Sequence, residues 1–399
     1  MIDARDAAHA ILHKDPHAYS AHPQIAVAAT GDWLVVFNKA LRRPLILHPP
    51  QDPLFANVII RSSDHGASWS EPVVVPNGGY RGTECASLTA LLSRDRILLN
   101  QWRFHWIELD WAYPLARDTT GEMLGHLIER KVLPPSLAGT RLNLKFPREL
   151  LSGLVLSPEI DAFSRAIDDP DGLIGFARDG GETFVHISDD HGRSWRETVR
   201  IDTAPYDGGY GMRGACELPN GDLLLPLSDV PHWRIVFVVR SSDDGKSWGR
   251  PVEVARVDGK EFEEPSLIRL ESGRLLMLLR ENATRRLHRC VSDDAGHRWS
   301  SPEPLPIEGY PAHLLLLSDG RILCTTGWRY PDFGIRAVLS GDDGETWDVD
   351  ATIRIRGGLP NKDLGYPCTI LDADGSLFTV YYGQDGDGVT CIWGTRWRL

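Results

Sequence analysis

The chain has 399 residues, 42% of them apolar and 25% charged, with a formal net charge of −12. That acidity argues against nucleic acid and anionic membrane as partners, and no apolar run reaches the 18 or so residues that span a bilayer. Length alone would suggest two or three domains, a prior that the repeat described below overrides.

The opening residues, Met1-Ile2-Asp3-Ala4-Arg5-Asp6, do not read as a signal peptide. Six cysteines (Cys85, Cys216, Cys290, Cys324, Cys368 and Cys391) are scattered without paired spacing. They are expected to be buried free thiols of a cytoplasmic protein.

In chain order, a first hairpin is predicted over residues 23–28 and 33–37, turning at Gly31. A strand-like run at 57–61 leads into Ser62-Asp64-Gly66-Trp69, and a second hairpin follows around 84–102. The stretch 104–180 reads as an excursion from this second unit. It has helical spacing at Met123, Leu124, Leu127 and Ile128, and again at Ile160, Phe163 and Ile167, with Pro134, Pro135 and Pro147 between or beside them. It is either decoration or a wall over a binding mouth. The strand 183–187 then meets Ser188-Asp190-Gly192-Trp195, and a less regular hairpin begins near Arg213. The run 235–239 precedes Ser241-Asp243-Gly245-Trp248. A clear hairpin over 265–270 and 275–279 precedes Ser292-Asp294-Gly296-Trp299. Another begins near Pro311, ahead of Ser340-Asp342-Gly344-Trp347. The last hairpin covers 367–371 and 377–382, and 391–397 is expected to be the outer strand of the final unit.

Two interleaved repeats emerge. The pattern Ser-x-Asp-x-Gly-x-x-Trp occurs five times, and its last four tryptophans stand 53, 51 and 48 residues apart. Its chemistry is that of a turn: Ser and Asp bond local backbone, Gly allows a positive φ, and Trp supplies apolar surface. Out of phase with it run the inner hairpins, in three of which the residue nine before the turn Gly is His22, Glu264 or Tyr366, each followed by Pro. Six units of short strands with regular turns predict an all-β, six-bladed propeller of four-stranded antiparallel blades, closed by the two chain ends meeting in one blade.

The Ser-Asp-Gly-Trp turn, known as the Asp box, on six blades resembles the sialidase (neuraminidase) superfamily. The resemblance covers nearly the whole chain outside the excursion. It implies a nucleophilic tyrosine on the sixth blade, matched by Tyr366 in Leu364-Gly365-Tyr366-Pro367. It implies a glutamate and an arginine on the fourth blade, matched by Glu264 and Arg280, and a leaving-group acid on the first, matched by Asp52. On that scheme Glu264 takes the phenol proton, Asp52 protonates the leaving oxygen and Arg280 holds the substrate carboxylate.

The sequence also departs from the family pattern. The Arg-Ile-Pro of the first blade is replaced by Ala21-His22-Pro23, and Phe333 stands where the fifth-blade arginine falls, with Arg336 three residues on. Losing two charged partners predicts an acidic sugar substrate, with cleavage of simple sialosides weakened by on the order of 10²–10⁴. Equivalent blade positions add Tyr80, Arg81 and Glu84, Tyr210 and Arg213, Tyr310 and His313, and Lys362 and Asp363 as candidate mouth residues. His13, His17 and His22 fix no metal geometry, and neither metal nor cofactor is expected. The expected function is an exo-glycosidase removing a terminal carboxylated sugar from a glycan. The alternatives are a polysaccharide lyase in which His22 and a tyrosine move protons, and a non-catalytic glycan-binding propeller.

Overall fold

The structure, a computed structural model, describes residues 1–42, 55–76, 82–108, 176–230 and 232–399. Among these, the strands form six sheets, each an antiparallel blade of four strands from channel to rim. Blade one comprises Ala18–Val27, Trp33–Leu41, Ala56–Ser62 and Val73–Val74. Blade two comprises Thr83–Leu91, Arg96–Glu108, Phe176–Ser188 and Glu197–Arg200. In blade three the innermost strand is broken into Gly209–Tyr210 and Cys216–Glu217, followed by Leu223–Asp229, Ile235–Ser241 and Val252–Arg256. Blade four comprises Phe262–Arg269, Leu275–Glu281, Arg286–Ser292 and Glu303–Glu308; blade five His313–Leu316, Ile322–Trp328, Gly334–Ser340 and Ile353–Arg356.

Blade six closes the ring. Its inner strands, Gly365–Leu371, Leu377–Gln384 and Thr390–Arg398, come from the C-terminal end, and its rim strand, Arg5–His13, from the N-terminal end. The expectation that 391–397 forms the outer strand is therefore corrected: it is the third strand. The correction also explains why this blade has no Asp box. The box is the turn between third and fourth strands, and here no chain connects them. Ile2–Asp3 adds a short parallel strand to the edge of blade five.

The five boxes share one geometry. Ser62 Oγ donates to Asp64 Oδ1 at 2.7 Å and accepts from Gly66 N at 2.8 Å, while Trp69 Nε1 donates to Gly66 O at 3.2 Å. The same Ser–Asp–Gly bonds recur at Ser188, Ser241, Ser292 and Ser340. Each box also stitches blades together. A Cβ on Gly192, Gly245, Gly296 or Gly344 would fall 3.1, 2.8, 2.6 or 2.7 Å from Leu34, Leu98, Leu224 or Leu276, all on the second strand of the preceding blade. The box tryptophans pack into the same seams, Trp299 between blades three and four and Trp347 between four and five. The glycine is thus required twice, for its positive φ and for its lack of a side chain.

The six cysteines are free thiols, five of them buried. The second and third strands of blade two remain paired out to Glu108 and Phe176, so both ends of the 104–180 stretch are strand; residues 109–175, with the expected helices, lie outside the described residues.

Candidate active site

Four inner strands carry the same irregularity. Their register slips between Ala21 and Gln24, Glu84 and Ser87, Glu263 and Ser266, and Gly365 and Cys368. Inside each slip one non-glycine residue takes a left-handed backbone: His22 (φ 55°), Cys85 (42°), Glu264 (52°) and Tyr366 (52°). Such conformations cost on the order of 1–3 kcal/mol each and persist only where packing imposes them. A bulge re-aims a side chain that strand alternation would send elsewhere. Three of these four positions are the residues before Pro23, Pro265 and Pro367 that share one phase in the sequence.

The bulges bring blades four and six together. The Tyr366 hydroxyl donates to Glu264 Oε1, and Arg280 Nη1 donates to Glu264 Oε2 at 2.8 Å. Arg280 Nε donates to Asn282 Oδ1 at 2.8 Å, and Asn282 Nδ2 donates to Glu263 Oε1. Burial, and then the charge of Glu264, push the Tyr366 phenol well above its ordinary 10, while Arg280 and Arg329 pull the other way. Burial and the neighbouring Glu264 push Glu263 up to about 7. Burial opposes the Arg280 charge, but Glu264, Tyr366 and Glu263 outweigh it and hold the guanidinium charged.

A second guanidinium joins this cluster from blade five. Arg329 lies 5.6 Å from the ring of Tyr366 and 5.6 Å from that of Tyr310, whose ring also carries Arg280 at 4.3 Å. Arg329 Nε is fixed on the carbonyl of Leu364 at 3.0 Å. Two guanidiniums thus flank the phenol, one bonded to its Glu264 partner and one beside its ring, an arrangement that favours an anionic ligand. Arg329 is not among the sequence candidates, which placed the fifth-blade position at Phe333 with Arg336 nearby. A usable signal existed: Arg280 precedes its box serine by twelve residues, and Arg329 precedes Ser340 by eleven.

His22 lies against the same phenol, its ring 4.3 Å from Tyr366 and 5.2 Å from Tyr382. Its Nδ1 accepts from Asn38 Nδ2 at 3.0 Å, at the end of a buried polar chain through blades one and two. Tyr19 and Tyr382 donate to Asp363 Oδ1 at 3.1 and 3.2 Å.

The remaining sequence candidates are placed differently. Glu84 is buried and accepts from Tyr210, whose hydroxyl also contacts Cys85 Sγ at 2.5 Å; Cys85, not Glu84, holds the bulge position. Arg213 ties the broken inner strand of blade three to blades five and six, donating to the carbonyls of Ala312 at 2.9 Å and Pro367 at 3.0 Å. His313 Nδ1 accepts from the amide of Thr369, and burial with the nearby Arg213 pushes this imidazole well below its ordinary 6.5. Arg336 lies 3.5 Å above the Trp328 ring, and its charged neighbours are Asp332, Arg354 and Glu308, outside the tyrosine cluster. Asp52, Tyr80 and Arg81 lie outside the described residues. Among the described residues, no group of three His, Cys, Asp or Glu is arranged to hold a metal ion.

Comparison with known proteins agrees with this architecture. A protein of unknown function from Dyadobacter fermentans superposes with a TM-score of 0.74 at 20% identity, covering 98% of this chain and 99% of that one. The intramolecular trans-sialidase from Ruminococcus gnavus, solved with oseltamivir carboxylate, gives 0.65 at 14% identity over 98% and 96%. The NanB sialidase from Streptococcus pneumoniae gives 0.65 at 14% identity over 98% of this chain and 70% of that one. At these identities the likeness is one of fold. No curated protein matches the chain. The model of the BNR repeat-like domain matches residues 174–379, more than half the sequence, and the chain therefore belongs to the BNR repeat-like domain family.

Proposed function

We propose that this propeller is a sialidase-type glycosidase that removes a terminal carboxylated sugar from a glycan. The observation that carries this reading is the Tyr366–Glu264 hydrogen bond, braced by Arg280 and flanked by Arg329. A neutral phenol suits a substrate whose carboxylate stands beside the anomeric carbon, because an anionic nucleophile would be repelled. Tyr366 Oη attacks that carbon as its proton passes to Glu264 Oε1, and the glycosidic oxygen departs with a proton from an acid. Asp52 is the proposed acid, on sequence alone. Water then attacks the same carbon and returns a proton to that acid, while the tyrosinate leaves and reclaims its proton from Glu264. Arg280 and Arg329 grip the carboxylate throughout.

A panel of chromogenic glycosides of sialic and uronic acids, with product analysis, tests the reading. Tyr366→Phe and Glu264→Gln are each expected to lower kcat by several orders of magnitude, and the double variant to be little worse than either, as for groups acting as one unit. Normal turnover by Tyr366→Phe would sink the mechanism. An unsaturated, ultraviolet-absorbing uronate product would replace the hydrolase with a lyase.

A further inference from the structure

The buried chain behind His22 has a direction, and an arginine sets it. Arg103 Nε donates to Gln101 Oε1 at 2.5 Å. A guanidinium has no acceptor, so the amide oxygen of Gln101 must face it and its nitrogen must face away. Gln101 Nε2 accordingly donates to Asn57 Oδ1 at 2.7 Å, Asn57 Nδ2 to Asn38 Oδ1 at 2.6 Å, and Asn38 Nδ2 to His22 Nδ1 at 3.0 Å. Turning Gln101 or Asn57 over would set donor against donor on one side and acceptor against acceptor on the other, and turning Asn38 over would set its amide donor against that of Asn57. All five residues are buried: Asn38 and Gln101 are 0% exposed, Asn57 1%, Arg103 2% and His22 4%. At that depth a mismatched pair costs its full desolvation. The other end is pinned too, since Arg103 Nη2 donates to His186 Nε2 at 2.9 Å and to the carbonyl of Pro76 at 3.0 Å.

We infer that Arg103, acting through Gln101, Asn57 and Asn38, locks His22 in the tautomer protonated at Nε2, so that this imidazole meets the substrate as a hydrogen-bond donor and not as a base. The assignment of a substrate role rests on the glycosidase reading; the lock itself does not. The donor stands one residue after Ala21, where the family resemblance implies an arginine, next to the proposed nucleophilic phenol, and suits an oxygen of the anionic substrate group. Asn38, Asn57, Gln101 and Arg103 are positioning residues: they act through His22.

The near-isosteric Gln101→Glu tests the lock from three residues away. A glutamate at 101 accepts on both oxygens, so Asn57 and then Asn38 must turn over, Asn38 presents its oxygen, and the proton moves to His22 Nδ1. Imidazole ¹⁵N spectra of histidine-labelled protein report this directly. The expected result is a non-protonated Nδ1 in the native protein and a protonated Nδ1 in folded Gln101→Glu. Protonation at Nδ1 in the native protein, or an unchanged tautomer in the folded variant, overturns the lock. If Gln101→Glu does not fold, Asn38→Asp forces the same switch by direct contact and decides the question.

On the glycoside found to be cleaved, Gln101→Glu is expected to lower kcat/KM roughly ten- to a hundredfold, the worth of one hydrogen bond to a charged group. A switched tautomer with unchanged kcat/KM overturns the donor role. If no glycoside is turned over, the proposed function fails, while the spectra still decide the lock.

Discussion

Glu263 sits one residue from the proposed base and shares Arg280 with it, its carboxylate 3.7 Å from Arg280 Nε. Its folded pKa of about 7 lies above the ordinary 4.5, so the folded state holds this proton more tightly than the unfolded chain. Its stabilising contribution is therefore full below about 4.5 and is lost as pH rises through about 7. Glu263→Gln should flatten the fall in stability across that window, by on the order of 2–3 kcal/mol, in denaturant titrations at pH 5 and pH 8. An unchanged pH dependence would remove Glu263 as its source. Arg329 allows a second test at this scale. Arg329→Ala should weaken binding of free sialic acid by roughly tenfold or more, the loss of one charged hydrogen bond, and Arg329→Lys should recover only part of it, since an ammonium is not a planar fork. Equal binding by all three proteins in calorimetry would take Arg329 out of the site.

At the scale of elements, the inner-strand bulge and the Asp box do opposite work. The bulge strains backbone to aim His22, Glu264 and Tyr366 inward, whereas the box locks rim turns to the neighbouring blade. Gly273 and Gly296 separate the two demands on a glycine. Both have a positive φ, of 87° and 86°, but a Cβ on Gly273 meets nothing within 4 Å while one on Gly296 falls 2.6 Å from Leu224 Cδ1. Gly273→Ala should cost about 1 kcal/mol from backbone alone, and Gly296→Ala roughly 2–4 kcal/mol as overpacking is added. Equilibrium unfolding of the two variants measures the difference, and equal losses would mean that the seam yields without cost.

For the whole molecule, closure depends on one strand. Arg5–His13 pairs along Thr390–Arg398 from Arg5 against Arg398 to His13 against Ile392. Removing residues 2–13 leaves that strand as an open edge and uncovers its seam. Open edges recruit other strands, so the truncated protein should oligomerise and lose thermal stability, as read by size-exclusion chromatography and a melting curve. A synthetic peptide of residues 2–13 should restore the elution volume of the full chain by adding back the strand. A truncation with the elution volume and melting temperature of the full chain would show that closure lies elsewhere.

The sequence by itself determined the fold, because period and turn chemistry are local: five boxes and the inner hairpins between them fix blade number and strand order without knowledge of any long-range contact. It also determined the phase shared by His22, Glu264 and Tyr366, since one phase in a ring means one end of the channel. Position within a strand was beyond it. Blade six borrows its rim strand from the other end of the chain, so 391–397 fell one place inward. Arg329 enters the cluster because blade five presents the residue just after its second strand, a register that only pairing sets, while Arg336, close in sequence, stacks on Trp328 instead. Arg213 had the right blade and phase, yet packing joined it to two carbonyls. The polarity of the Arg103–His22 chain lay furthest from sequence: Asn38, Asn57, Gln101 and Arg103 stand on three strands of two blades, and a hydrogen-bond direction exists only once tertiary structure has put donors and acceptors face to face.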